Sequence, residues 1–381
     1  MIFVNTQAKL NNFVDSALAS DILCLDTEFI REKSYYPRLC LIQAQTREQT
    51  YIIDPFSLED LKPLEKLMTN ESLVKVFHAA AQDIEMIYRE VGVIPKPLFD
   101  TQIVASVVTS TYQPGLANLL KNTLAIKIDK SYGFTDWSQR PLTDEQIKYA
   151  AEDVVYLPAL YDYQTSRLKE LGREQWAECE LKELQDIEDF DVDPYKRFIH
   201  LKSASHLKPF ELCLAREVAA WREFRAMKYD IPRRWVLSDE LVSEICKRNP
   251  YTIESLFSIR GMRDVVSISE AREILGCLKK AREVEESEWP SIAVPGLTEQ
   301  KVSEAVSLMN ALLRLRAKEN ELPPQVLATN EQLTDLARGK LTGNKLLDTW
   351  RKDIIGNELI DLLHGKIAIS INDNSLVVHE L

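Results

Sequence analysis

No stretch of this chain stays apolar for anything near the roughly twenty residues that a helix needs to cross a bilayer. The first residues, M-I-F-V-N-T, hold neither a basic segment nor a long apolar one, so no membrane helix and no signal peptide are expected and the reading is cytoplasmic. Paired cysteines are missing too: Cys24, Cys40, Cys179, Cys213, Cys246 and Cys277 never form C-x-x-C and mostly sit among apolar neighbours. That excludes a zinc ribbon and a disulfide frame, and leaves reduced core thiols. Positive charge is also short, with 47 Lys and Arg against 59 Asp and Glu and a net charge of -12. A general nucleic-acid coat protein is excluded, because phosphate binding draws on lysine and arginine. A phosphate substrate at a metal site is not, since bound cations reverse the local sign.

What is present fits two or three globular domains, with 381 residues and a 45% hydrophobic content. The chain is organised around Ile22 to Phe29, I-L-C-L-D-T-E-F. Ile22 to Leu25 read as a strand buried on both faces. Side chains alternate along a strand, so Asp26 and Glu28 share a side. Two carboxylates so close oppose each other unless a cation lies between them, and a divalent metal is the simplest one. A strand running into an acidic loop is the plainer reading of D-x-E alone.

Around this stretch the pattern predicts an edge strand at Ile2 to Val4 and a helix capped by Thr6 and running to about Leu18. A polar loop from Arg31 to Pro37 leads to strands at Leu39 to Ala44 and Thr50 to Ile53, a hairpin-built part of a sheet. A helix over Leu58 to Met68 and a strand over Leu73 to Phe77 follow. His78 ends that strand, and Asp83 opens the next helix, where N–H groups favour anions. A first-turn acid and a strand-end histidine account for the pair equally well. Helices are expected at Phe99 to Val108 and at Leu116 to Leu124. Thr143 and Gln146 form a capping-box pattern for a helix to about Leu157, where Pro158 breaks it before helix resumes to Leu171. Tyr149 and Asp153 lie one turn apart on that helix, either core and solvated acid or a working pair.

Asp26, Glu28, Asp83 and Asp153 would supply oxygen-only ligands, which suit magnesium or manganese. Two such ions roughly 4 Å apart activate a water and stabilise an in-line phosphoryl displacement. L-D-T-E-F at Leu25, H-A-A-A-Q-D at His78 and Y-A-A-E-D-V at Tyr149, in this order, resemble the three motifs of the DEDD exonuclease superfamily in its tyrosine-containing branch. Y-x-x-x-L-x-L-I-Q-A at Tyr35 and D-W-S-Q-R-P-L at Asp136 are similar to bacterial ribonuclease D. The resemblance implies an α/β ribonuclease-H-like 3′-5′ exonuclease domain with a mixed sheet. It implies Asp26, Glu28, Asp83 and Asp153 as ligands of two Mg²⁺ or Mn²⁺ ions, and Tyr149 as the residue that places the attacking water. The implied reaction is hydrolysis of RNA from its 3′ end to nucleoside 5′-monophosphates, in tRNA 3′ maturation and small-RNA processing. A DNA exonuclease and a noncatalytic binding protein are the alternatives. His78 is expected at substrate phosphate or ribose and Phe29 at the terminal base, with a structural hydrogen bond and core packing as the other readings. Arg31, Lys33 and Arg38 would track the RNA, and Gln43 is either a substrate contact or a buried strand residue satisfying backbone groups.

The acid-rich run from Glu178 to Asp193 reads as a solvated face or linker, ended by Pro194. From Phe210 the chain reads as helical, and F-R-A-M-K-Y-D-I-P-R-R-W-V-L at Phe224 returns as L-R-A-K-E-N-E-L-P-P-Q-V-L at Leu315, an internal duplication. Trp289, Pro290 and Pro295-Gly296 mark the linker between copies. Both copies resemble the helicase-and-ribonuclease-D C-terminal (HRDC) domain, a small all-α bundle that assists nucleic-acid binding. The second departs from it after Asn330 and ends in a possible strand pair. The expected domains are residues 1–200, catalytic, 208–290, first HRDC-like, and 296–381, second and divergent, in a monomer. Arg233, Arg234, Arg260, Arg263, Arg338, Lys340 and Lys345 are the other basic residues that could track RNA, with ordinary solvated charge as the plainer reading of most of them.

Overall fold

The computed structural model describes residues 1–128, 135–185, 193–291 and 300–381. The chain divides into two compact units, one of Met1–Phe29, Leu39–Asp186 and Thr298–Leu381, the other of Ile30–Arg38 and Ile187–Leu297.

The first unit opens with strand β1 (Ile2–Val4) and helix α1 (Gln7–Ala17). Thr6 caps that helix by accepting from the Lys9 N–H, and Leu10, Phe13, Val14 and Ala17 form its buried stripe. Then come β2 (Ile22–Ile30), β3 (Arg38–Gln45) and β4 (Thr50–Ile53). The helix expected over residues 58–68 shrinks to the single turn α2 (Glu65–Met68), preceded by 3-10 turns at Pro55–Ser57 and Lys62–Leu64. Pro63 has no N–H to give, and the Asp60 carboxylate accepts from Lys62 N–H at 2.9 Å, so a new turn starts where a helix would be in mid-course.

Strand β5 (Val74–Phe77) leads into α3 (Ala81–Val91), which ends on the left-handed Gly92. The helix expected from Phe99 starts later, because β6 (Leu98–Asp100) comes first and α4 (Thr101–Val108) follows. Phe99 pairs with Val76 of β5, and the Asp100 carboxylate caps α4 by accepting from Gln102 and Ile103. The six strands form one mixed sheet in the order β1-β4-β3-β2-β5-β6. β2 runs parallel to β5 and β5 to β6, while β3 and β4 form the antiparallel hairpin.

Helices α5 (Leu116–Leu124), α6 (Asp144–Val155), α7 (Leu157–Leu171) and α8 (Glu174–Lys182) complete this part. Both halves of the capping box at Thr143 and Gln146 are made. The break between α6 and α7 falls at Tyr156, just before Pro158.

Where it is described, the acid-rich run, expected as a solvated face or linker, is helix with an exposed side at Glu178, Lys182 and Glu183 rather than a free linker. It begins with the last turn of α8, where Glu180 accepts from both terminal nitrogens of Arg351, at 2.7 and 2.8 Å. Lys345 reaches Glu183 at 2.6 Å, and Trp176 stacks on Trp350 at 4.3 Å with planes 10° apart. Residues 186–192 of that run lie outside the described residues, as do Pro295 and Gly296.

The second unit is helical: α9 (Pro209–Tyr229), α10 (Arg233–Val236), α11 (Asp239–Arg248), α12 (Ile253–Phe257), α13 (Met262–Val265) and α14 (Ile268–Arg282). Its core gathers Val218, Leu237, Ile245, Leu256, Ile274 and Leu278.

The last part of the first unit repeats the beginning of that plan with α15 (Gln300–Glu319), α16 (Pro324–Leu327) and α17 (Asn330–Ala337). In the first copy Ile231 N–H returns to the Ala226 carbonyl at 3.1 Å, and in the second Leu322 N–H returns to Ala317 at 2.9 Å. Pro232 and Pro323 then precede the matching short helices. The copies part afterwards, through α18 (Lys345–Asp348), a π-turn at Lys352–Gly356 and α19 (Asn357–Leu363). The expected strand pair is present as β7 (Ile367–Asn372) and β8 (Ser375–Glu380), antiparallel about a turn with Asp373 and Asn374 both at positive φ.

Candidate active site

Ile22 and Cys24 of β2 face a core shared with Val76, Phe99, Val104 and Val154. Alternation carries that same face on to Asp26 and Glu28, where the strand turns from apolar to acidic. α6 supplies the third acid, because Asp153 precedes the buried Val154 that docks the helix. One carboxylate oxygen from each of Asp26, Glu28 and Asp153 lies within 4.8 Å of the others. Burial raises the Asp26 carboxyl well above its ordinary range, and the charges of Asp83, Asp153 and Glu28 add to it. Glu28 is pushed up to about 8 by burial and then by Asp153 and Asp83. Such a group costs free energy when ionised unless a cation answers it, and its all-oxygen donors fit Mg²⁺ or Mn²⁺.

Asp83 is not a member of that group of three. Its Oδ1 accepts from the Thr27 hydroxyl at 2.5 Å. Burial pushes its pKa up to about 7, while the Thr27 hydroxyl and backbone N–H act to lower it. Tyr149, one turn before Asp153, lies nearly parallel to the buried Trp137, ring centroids 6.3 Å apart.

Sequence reasoning missed four supports. Thr27 was passed over as the spacer of D-x-E. Asp100 accepts from Ala79, Ala80, Gln102 and Ile103, so one carboxylate ties the turn after His78 to the start of α4. An acid between an apolar strand and a helix-opening threonine was its signal. Trp137 and Arg140 were seen only as parts of a motif. Arg140 binds both Asp54 oxygens, at 3.1 and 2.8 Å, and the Cys40 carbonyl at 2.7 Å, and stands 4.6 Å from the Phe56 ring centre. This fixes the strap that carries Trp137.

Residues 1–169 match the family model described as 3′-5′ exonuclease, and residues 211–278 match the HRDC domain model. The chain is 35% identical to ribonuclease D of Bartonella henselae over 95% of its own length and 90% of that protein. Identity to ribonuclease D of Nitrobacter hamburgensis is 33%, over 99% of both chains. The chain belongs to the ribonuclease D family. Among solved structures it is similar to Escherichia coli RNase D, described as an exoribonuclease involved in structured RNA processing. There the TM-score is 0.83 at 26% identity, covering 95% of this chain and 98% of the other. As a ribonuclease D it is a metal-dependent 3′-5′ exoribonuclease, with an α/β exonuclease domain followed by helical HRDC-like domains.

The remaining expected contacts are spread unevenly over the chain. Thr101 gives its one hydroxyl proton to the Phe77 carbonyl at 3.0 Å, so the 2.9 Å contact from His78 Nδ1 must be donated by the histidine. Its Nε2 is buried and has no hydrogen-bond partner among the described residues. Phe29 is half-buried at the end of β2. Gln43 is wholly buried on β3 opposite Ile52, yet it does not satisfy backbone groups, since neither of its side-chain polar atoms has a hydrogen-bond partner among the described residues. Arg31, Lys33 and Arg38 are exposed and belong to the second unit, in which Tyr35 donates to Glu223 at 2.6 Å. No helix among the described residues is long and apolar enough to cross a membrane.

Proposed function

We propose that this protein removes nucleotides one at a time from RNA 3′ ends as 5′-monophosphates, acting in the cytoplasm, as a monomer, on tRNA precursors and other small structured RNAs with single-stranded tails. The observation that carries the reading is the convergence of Asp26, Glu28 and Asp153 from a strand and a helix onto one point. These three, joined by Asp83, would hold two divalent ions. The ions supply Lewis-acid stabilisation of the phosphoryl oxygens and a more acidic water. Tyr149, backed by Trp137, holds that water in line with the terminal phosphodiester through its hydroxyl. His78 accepts from a ribose hydroxyl at Nε2. Phe29 stacks on the terminal base, Gln43 reads a polar group of the substrate, and Arg31, Lys33 and Arg38 neutralise the entering phosphates. Three domains, 1–200, 208–290 and 296–381, divide this work, and the two family-model matches fall inside the first two.

The test is time-resolved cleavage of a 5′-labelled RNA hairpin with a 3′ tail, in magnesium, manganese or chelator. A ladder shortening from the 3′ end, halting at the duplex and absent in chelator, is expected. Asp153→Asn lowers kcat by about a thousandfold, equivalent to ~4 kcal/mol of transition-state stabilisation, while RNA still binds. Internal cuts, or cleavage that persists in Asp153→Asn, would sink the reading.

A further inference from the structure

A cavity of about 460 Å³ opens in the second unit, far richer in guanidinium groups than the molecule as a whole. Arg197, Arg222, Arg233 and Arg234 line it together with His200 and Trp235. Two carboxylates answer these four cations. Asp239 pairs with Arg222 at 2.7 Å, and the buried Glu223 takes Arg197 at 3.1 Å and Arg233 at 3.3 Å. Arg234 and His200, both exposed, pair with no carboxylate among the described residues. In a chain of net charge -12 such a local excess of positive charge needs a reason.

Two further observations point to a ligand. Arg222 has a side chain only 3% exposed, and it spends Nη1 on Asp239 and the Leu237 carbonyl while its Nε finds no acceptor. Trp235, in the lining, leaves 58% of its surface in solvent instead of packing into the core. A flat indole beside the Arg234 guanidinium, which no carboxylate among the described residues answers, has the chemistry that holds single-stranded nucleic acid, with stacking for the base and charge-assisted bonds for the phosphate. The volume suits one nucleotide. The wall also includes Tyr35, in the loop that continues the strand bearing Asp26 and Glu28.

We infer that this cavity is an RNA subsite that takes one unpaired nucleotide of the substrate, its phosphate on Arg234 and His200 and its base on Trp235. The inference rests on the exoribonuclease reading for the identity of the substrate, but not on the roles of the acids. Arg197, Arg222 and Arg233 are held by carboxylates and shape the wall, so Arg234 and Trp235 are the positions to change without harming the fold.

The experiment measures binding of a fluorescent single-stranded RNA hexamer to the full chain in chelator, where nothing is cleaved, across a series of salt concentrations. Arg234→Ala and Trp235→Ala each weaken binding about tenfold, and the double variant by about thirtyfold or more. Arg234→Ala also lowers the slope of log affinity against log salt by about 0.7, one phosphate contact in a single strand. Hydrolysis of an RNA dinucleotide, which offers the catalytic residues a single phosphodiester, stays within about twofold of wild type. Unchanged hexamer affinity and salt slope in the double variant would overturn the proposal. So would an affinity for free AMP that falls from wild type to these variants while the RNA affinity does not, since the cavity would then hold a released mononucleotide. Loss of hexamer binding in the variants, with no dinucleotide cleavage even by wild type in Mg²⁺ or Mn²⁺, would leave this subsite standing and remove the catalytic reading.

Discussion

Thr27 stands between the two acids of β2 and faces away from them, yet its hydroxyl reaches the fourth acid, Asp83. Its donation offsets part of the repulsion among carboxylates that burial would otherwise keep protonated. The pH behaviour of the metal-free protein follows from these acids. Glu28 titrates at about 8 in the folded chain against 4.5 for an ordinary glutamate, so the folded state holds more protons than the unfolded one between those values. Its contribution to stability is therefore full below about pH 4.5 and is lost as pH rises through 8. In chelator, the Glu28→Gln variant should lose less thermal stability than wild type between pH 5 and pH 8, as melting curves at the two pH values would read, and added Mg²⁺ should narrow the difference. At the other end of the chain, a Cβ on Gly356 would lie 2.1 Å from the Leu346 carbonyl oxygen, a backbone atom that cannot swing aside. Gly356→Ala should cost ~2–3 kcal/mol by denaturant titration, with the chemistry on a dinucleotide untouched.

Elements bring the site together through capping and pinning more than through propensity. The strap from Asp136 to Pro141 has no regular structure, so its place depends on Arg140 gripping Asp54 and Cys40. Arg140→Ala should destabilise the fold by ~2–3 kcal/mol, since Asp54 loses its ionic partner, and should lower kcat about tenfold through loss of the Trp137 support behind Tyr149. RNA affinity within about twofold of wild type would separate this positioning role from a binding one, and an unchanged kcat would refute it. The same contrast explains what was legible in the sequence. β2, the capping box at Thr143 and the break before Pro158 are written in local periodicity and local hydrogen bonds, and they appear where expected. Asp26, Glu28 and Asp153 were legible because their motifs are short and local. The helix over 58–68 failed because Asp60, which accepts from Lys62 N–H, and Pro63 act three residues apart, against a weak apolar pattern. Arg140 was missed because its partners Asp54 and Cys40 lie 86 and 100 positions away, which no spacing shows, and of Asp100 only the local cap on α4 was legible, not the tie to Ala79 and Ala80 about twenty residues back.

On the scale of the whole molecule, the first unit is built from both ends of the chain. Its closing bundle is fastened to α8 by Glu180 with Arg351 and by Trp176 on Trp350. Arg351 is 7% exposed along its side chain and also gives its Nε to the Val326 carbonyl at 2.7 Å. Arg351→Met should lower stability by ~3 kcal/mol, because Glu180 is left without its ionic partner, and the double change with Glu180→Gln should recover part of that loss. An additive double variant would show that the pair contributes nothing. The fastening also sets a delay during synthesis. Glu180 and Arg351 are 171 positions apart, which a ribosome covers in about 10–35 s. For that interval a nascent chain carries the flat face of Trp176 and the acids of α8 without the bundle that covers them. Ribosomes that stall before Trp350 should therefore release fragments whose exonuclease half is bound by chaperones or aggregates, and a chain extended past Arg351 should escape both.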